Sequence, residues 1–215
     1  MLNHLREGDV VGFVANPLNL GHAFITIGQV YNGGDDNGFH RIVHFGIVVE
    51  VDGVLSLVEF TVTKLFPWPS GGMVITPLAD RLAAYPFGAV GFFLNKTARA
   101  KLSVERLRQW VKDHFHDKYN VWGLGFAVLQ WFIGWQIAGY MFCTEAIRSA
   151  LSFSNAWNGT RYALAAPKFL ESLVALIKGL PMPMPRKVTG RVEPQRWSPR
   201  DIAEAGVFEH WEVLE

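Results

Sequence analysis

The only cysteine of this sequence, Cys143, is the residue with the most chemistry to offer. It opens a stretch, Cys143 to Leu151, in which Ala146, Ile147 and Ala150 fall at helical spacing. A thiol at a helix start has two advantages. The reactive species is the thiolate, which the positive end of a helix dipole favours, and the free backbone N–H groups of the first turn can receive a developing oxyanion. Such a nucleophile also needs a base to take its proton and an acceptor to orient that base. His44 and Glu59 are the candidates. Taken singly, a cysteine is more often a small buried hydrophobe, and a strand histidine a satisfied polar group. What joins the three is the local structure that must carry them.

Ile42 to Val51 and Val54 to Val62 are β-rich runs joined by Asp52-Gly53. Asp-Gly between two such runs is a strong hairpin signal, because both residues of the tight turn need positive φ. With a two-residue turn Val51 faces Val54, His44 lies opposite Thr61, and Glu59 lies opposite Gly46. His44 and Glu59 then share a face as diagonal neighbours, with Cβ atoms roughly 6–8 Å apart. Gly46 leaves open space beside Glu59. Glu50 shares that face but lies about 20 Å along the strand from His44, too far to be its partner.

Other elements follow from pattern. Val10 to Val14 reads as a buried strand after the turn Gly8-Asp9, and Met73 to Thr76 and Ala89 to Leu94 as strands of the same sheet. Ser103 caps a helix whose Val104, Leu107, Val111 and Phe115 form an apolar stripe. Residues 22–31 fit helix or strand, and 33–38 a loop. Pro167 to Lys178 reads as a helix stopped by Gly179 and Pro181, Pro181 to Pro185 as extended chain, and Ser198-Pro199-Arg200-Asp201 as a helix start. Strands followed by helices predict an α+β domain spanning residues 1–215, its antiparallel sheet packed against helices.

Composition narrows the function. Half of the 215 residues are apolar and 18% are charged, which excludes a disordered chain. Lys+Arg 20 against Asp+Glu 19 leaves a formal charge of +1 with no basic block, so nucleic acid is not an expected partner. A lone cysteine forms no internal disulfide and no Cys-rich zinc site. No cofactor or metal is expected, and a His114–His116 metal site lacks further ligands. His114 falls on the apolar stripe as a packed histidine, His116 lies off it in solvent, and Asp9 reads as a turn residue. The N-terminal residues lack a cleavable signal pattern, which predicts a chain cytoplasmic as synthesised or exported by a route without such a signal. Between Lys118 and Glu145 lie 26 residues without formal charge. Their Gln130, Gln136 and four glycines favour a buried or surface-docking hairpin at 121–142 over a transmembrane span.

His44-Phe-Gly-Ile-Val48 resembles the strand H-[VF]-G-I-[VY] of the circularly permuted NlpC-type papain-like cysteine hydrolases, the YiiX/YebB-like group. Met141-Phe-Cys-Thr-Glu145 resembles that family's nucleophile helix, and Glu7-Gly-Asp-Val-Val11 its opening strand. Lys118-Tyr-Asn-Val-Trp-Gly123 is similar to the turn before the cysteine, and Ser198-Pro-Arg-Asp-Ile202 to the closing segment. The five motifs occur in the family's order from residue 7 to residue 202. The resemblance implies a permuted papain-like fold with Cys143 as nucleophile, His44 as base and then acid, and Glu59 as its orienting partner. It also implies hydrolysis of amide bonds in peptidoglycan stem peptides or similar peptides through a covalent acyl-enzyme. His22, His40 and Tyr140 are candidate substrate-binding residues. Glu145 favours the helix start but would oppose a thiolate if it pointed at Cys143.

The hydrophobic tract 121–142 is longer than the family's usual connection, and this favours a second expectation. Permuted relatives resembling lecithin–retinol acyltransferase act on lipid acyl groups, as a phospholipase or acyltransferase would. Contact with a membrane surface through 121–142 belongs with that reading. An antibacterial toxin with an immunity or carrier partner would reconcile a cell-wall or lipid substrate with the missing signal. A non-catalytic membrane-associated protein with an inert Cys143 is the alternative of another class.

Overall fold

The computed structural model describes residues 4–19, 22, 41–64, 70–119, 140–141, 143–157, 163–165, 186–188, 202 and 206–214. The expected elements at 23–38, 167–178, 181–185 and 198–201 lie outside the described residues, as does nearly all of the tract 121–142. Strands β1 (Val10–Val14), β2 (Ile42–Val51), β3 (Val54–Lys64), β4 (Ser70–Pro77) and β5 (Ala89–Leu94) form the body of one sheet. Helices α1 (Leu78–Ala83), α2 (Lys96–Lys101), α3 (Val104–His114) and α4 (Cys143–Phe153) accompany it. The short strands β6 (Lys118–Tyr119) and β7 (Tyr140–Met141) extend one edge, and β10 (Phe208–Leu214) forms the other. The order is β10-β5-β1-β2-β3-β4-β6-β7, with β8 (Ala163–Ala165) and β9 (Arg186–Val188) as a separate pair. The class is α+β.

The hairpin register is the expected one. Val51 pairs with Val54 and Gly46 with Glu59. Asp52 and Gly53 adopt φ of 51° and 78°, the left-handed pair that lets a two-residue turn follow the twist of its strands. β1 lies antiparallel between β2 and β5. A register irregularity after Phe13 makes Phe13 the partner of His44 and Val14 the partner of Ile42.

Both faces of this sheet are covered, which is why β2 reads as an almost unbroken apolar run. On one face Phe45, Ile47, Val58, Phe60 and Phe92 pack with Leu107 and Trp110 of α3 and with Ala146, Ile147, Ala150 and Leu151 of α4. On the other, Val11, Phe13, Val48, Leu57 and Phe93 pack with Leu78 of α1. Each of the larger of these side chains contributes about 1.5–3 kcal/mol by leaving water. Trp110 anchors α3 to α4, its indole N–H donating to Ser149 Oγ at 3.0 Å.

Two sequence expectations need correction. The stripe of α3 runs through Leu107, Trp110 and Val111, while Phe115 is the C-cap residue and half exposed. The helix ends one residue before Phe115 could join the buried face. The sheet is also not purely antiparallel, because β6 and β7 pair in parallel through Lys118–Tyr140 and Tyr119–Met141. As expected, Ser103 caps α3, its side chain accepting from the Arg106 N–H.

Asp9 holds the frame together. It is fully buried, and its carboxylate accepts from the backbone N–H groups of Leu94 at 2.9 Å and Arg6 at 2.8 Å and from the Arg99 guanidinium. Burial raises its pKa against these three partners. Its role is structural, as the sequence suggests. His114 stacks on Trp110 and bonds that residue's carbonyl at 2.8 Å through Nδ1, and His116 is exposed. Among the described residues no helix is long and apolar enough to cross a membrane.

Candidate active site

Four elements converge on one imidazole. β2 carries His44, β3 carries Glu59, α1 carries Arg81, and α4 begins with Cys143. His44 Nε2 and Glu59 Oε1 lie 2.9 Å apart, as the diagonal placement across the hairpin predicts. The approach depends on Gly46, the strand partner of Glu59. A Cβ at that position would stand 2.8 Å from Glu59 Cγ and 2.6 Å from Leu57 Cγ, too close for either to stay.

Glu59 is 2% exposed, and such a carboxylate is unfavourable unless its oxygens are satisfied. Burial alone would raise its pKa. The hydrogen bonds and charges of His44 and Arg81 outweigh burial and hold the carboxyl below its usual range. Arg81 grips both oxygens, Nε donating to Oε2 at 2.7 Å and Nη2 to Oε1 at 3.0 Å. No sequence signal singles out Arg81. It lies 22 residues beyond Glu59, on a short helix after β4, and only the return of that helix to the β3 face brings the pair together.

Cys143 also comes close enough to His44 for its side chain to act on the imidazole. Burial opposes charge on the imidazole, but the bonds to Cys143 and Glu59 and the negative charge on each prevail. His44 is pushed up from 6.5 to about 9. Both partners thus favour the charged ring over the neutral form that burial alone would select.

Cys143 is buried at the first position of α4, where the helix dipole and free N–H groups act on it. Tyr119 of β6 comes close enough for the charge of Cys143, together with burial, to push its phenol pKa up. In the sequence Tyr119 stands out only as part of the turn motif Lys118 to Gly123. Glu145, the third residue of α4, is buried as well.

The candidate substrate-binding residues fare unequally. His22 Nδ1 accepts from the backbone N–H of Asn16 at 2.9 Å, so the neutral ring carries its proton on Nε2. Burial and the charge of His44 lower the His22 pKa. Tyr140 belongs to β7, three residues before α4 begins. His40 lies outside the described residues.

No family model matches the chain, and no curated protein matches it. Among solved structures it is similar to the metalloprotein YiiX of Escherichia coli O157:H7, described as DUF1105. The TM-score is 0.52 at 14% identity, over 98% of this chain and 96% of that one. At this identity the likeness bears on the fold. The residues of this site do not fit a metal: both Glu59 oxygens are taken by donors, and among the described residues no three His, Cys, Asp or Glu side chains are placed so that they could hold an ion. The chain thus has the α+β fold of YiiX, and its own site gathers a thiol, an imidazole and a carboxylate.

Proposed function

We propose that this chain is a cysteine hydrolase of the circularly permuted papain-like type, acting on amide bonds of peptidoglycan stem peptides or similar peptides through a covalent acyl-enzyme. The observation that carries the proposal is the approach of Glu59 and Cys143 to one imidazole, His44, with the thiol on a helix N-terminus. The order of the three residues along the chain and the YiiX-like fold support the same reading.

The chemistry follows from where the proton rests. With His44 as imidazolium, the Cys143 sulfur attacks the carbonyl carbon and the oxygen takes up the electron pair, facing the backbone N–H of Cys143. As the tetrahedral intermediate collapses, His44 gives its proton to the departing nitrogen and an amine leaves. A thioester remains on Cys143. His44, now neutral, takes a proton from water as the water oxygen attacks the thioester carbon. The acid leaves, and the sulfur is again paired with the imidazolium. Glu59 stays ionised throughout and holds the ring by Nε2.

Two parallel assays test this. Purified sacculi incubated with the chain should release peptide, and phospholipid vesicles should release little fatty acid, while Cys143→Ala releases neither. Intact-mass analysis should find the acyl group on the wild-type chain. Release of fatty acid instead of peptide would assign the lipid acyl reading that the hydrophobic tract before Cys143 favours. Failure in both assays would leave a membrane-associated, non-catalytic protein.

A further inference from the structure

The catalytic steps use Cys143, His44 and Glu59 but leave Arg81 without a part. Its guanidinium meets a carboxylate and two aromatic rings. Besides its two bonds to Glu59, it lies 4.2 Å from the centroid of the Phe13 ring and 5.2 Å from that of Tyr85. These rings meet edge to face at 4.9 Å, and the Tyr85 hydroxyl donates to the Val14 carbonyl at 2.6 Å. Phe13 is also the strand partner of His44, with ring centroids 5.8 Å apart. An exposed arginine–carboxylate pair contributes little. This one differs, because the carboxylate is buried and the planar fork is held flat by aromatic rings.

One bond from His44 does not fix the plane of a carboxylate, which turns freely about its terminal torsion. A two-point fork does. Oε1 also accepts from both His44 and Arg81, so its charge is divided between them. We propose that Arg81 is a positioning residue whose grip fixes the Glu59 carboxylate in one plane and draws off part of its charge, so that His44 is oriented yet still able to release its proton. Its consequence for turnover rests on the hydrolase reading, and its effect on His44 does not. Among the described residues, the charged and titratable groups near His44 are Cys143 from α4, Glu59 from β3, Arg81 from α1 and His22 after β1, with Tyr85 beside Arg81.

The test is an NMR titration of the His44 ring in the full chain as wild type, Arg81→Met, Glu59→Gln and the double variant. Arg81→Met is expected to move the His44 midpoint upward by about half a pH unit or more, because the whole carboxylate charge then acts on the imidazolium. In the Glu59→Gln background the same substitution should move it clearly less, and where turnover is measurable kcat should fall with KM little changed. Equal displacement in both backgrounds, or none in a folded protein, overturns the proposal. Should Arg81→Met fail to fold, Arg81→Lys carries the test. Lysine keeps the charge without the fork, so a smaller upward displacement is expected and an unmoved midpoint overturns the proposal. A chain that cleaves no substrate while its His44 midpoint still depends on Arg81 through Glu59 would remove the hydrolase reading and leave this inference standing.

Discussion

His44 is the residue on which opposing forces meet. Burial favours its neutral form, yet the bonds and charges of Cys143 and Glu59 raise it to about 9. Removing either partner should let burial win. In Cys143→Ala the His44 midpoint is expected to fall below about 9, as NMR titration of the ring would register, and a midpoint that stays put would mean the sulfur does not hold the proton. Glu59→Gln should also lower it. That substitution keeps the shape but removes the charge, and by analogy with amide replacements of triad carboxylates kcat should drop about 10²–10⁴-fold. A loss below tenfold would reduce Glu59 to a packing role.

At the scale of elements the hairpin does the positioning. Gly46→Ala puts a methyl against Glu59 and Leu57, so the ribbon must open where the two catalytic side chains meet. We expect a loss of about 1–3 kcal/mol in denaturant unfolding and a marked loss of Cys143 reactivity. Gly53 makes the contrast. A Cβ there meets nothing within 4 Å, but φ is +78°, so Gly53→Ala should cost about 1 kcal/mol of backbone strain and leave Cys143 reactivity unchanged. The reverse pattern would show that the turn, and not Gly46, sets the site.

These elements also explain what was legible in the sequence. The Asp52-Gly53 turn fixes the register by local chemistry, and the register in turn places Glu59 beside His44. The Ser103 cap and the start of α4 are likewise local signals. Arg81 was not legible, because its meeting with Glu59 is decided by how α1 folds back after β4. The same holds for β10, whose alternating Trp211 and Val213 point to solvent while its pairing partner, β5, lies over a hundred residues earlier. For Tyr119 a motif marked the place, and only the pairing of β6 with β4 and β7 gives it a neighbour in Cys143.

For the whole molecule, a site built of buried charges ties stability to pH. His44 is raised on folding, so its contribution is complete below 6.5 and is lost as pH climbs toward about 9. Glu59 is lowered on folding, so its contribution is present above 4.5 and is lost as pH falls through its folded value. The Tm advantage of wild type over His44→Gln should therefore be largest at about pH 6 and shrink by about pH 9.5. An advantage that grows across that range would reverse the sign of the coupling. The most direct measurement of the central claim needs no substrate. It is the rate at which iodoacetamide alkylates Cys143 at about pH 6, compared between wild type and His44→Gln. If imidazole and sulfur form one pair, wild type reacts about tenfold faster or more. Equal rates in two folded proteins would contradict the account, for the thiol would then owe nothing to His44.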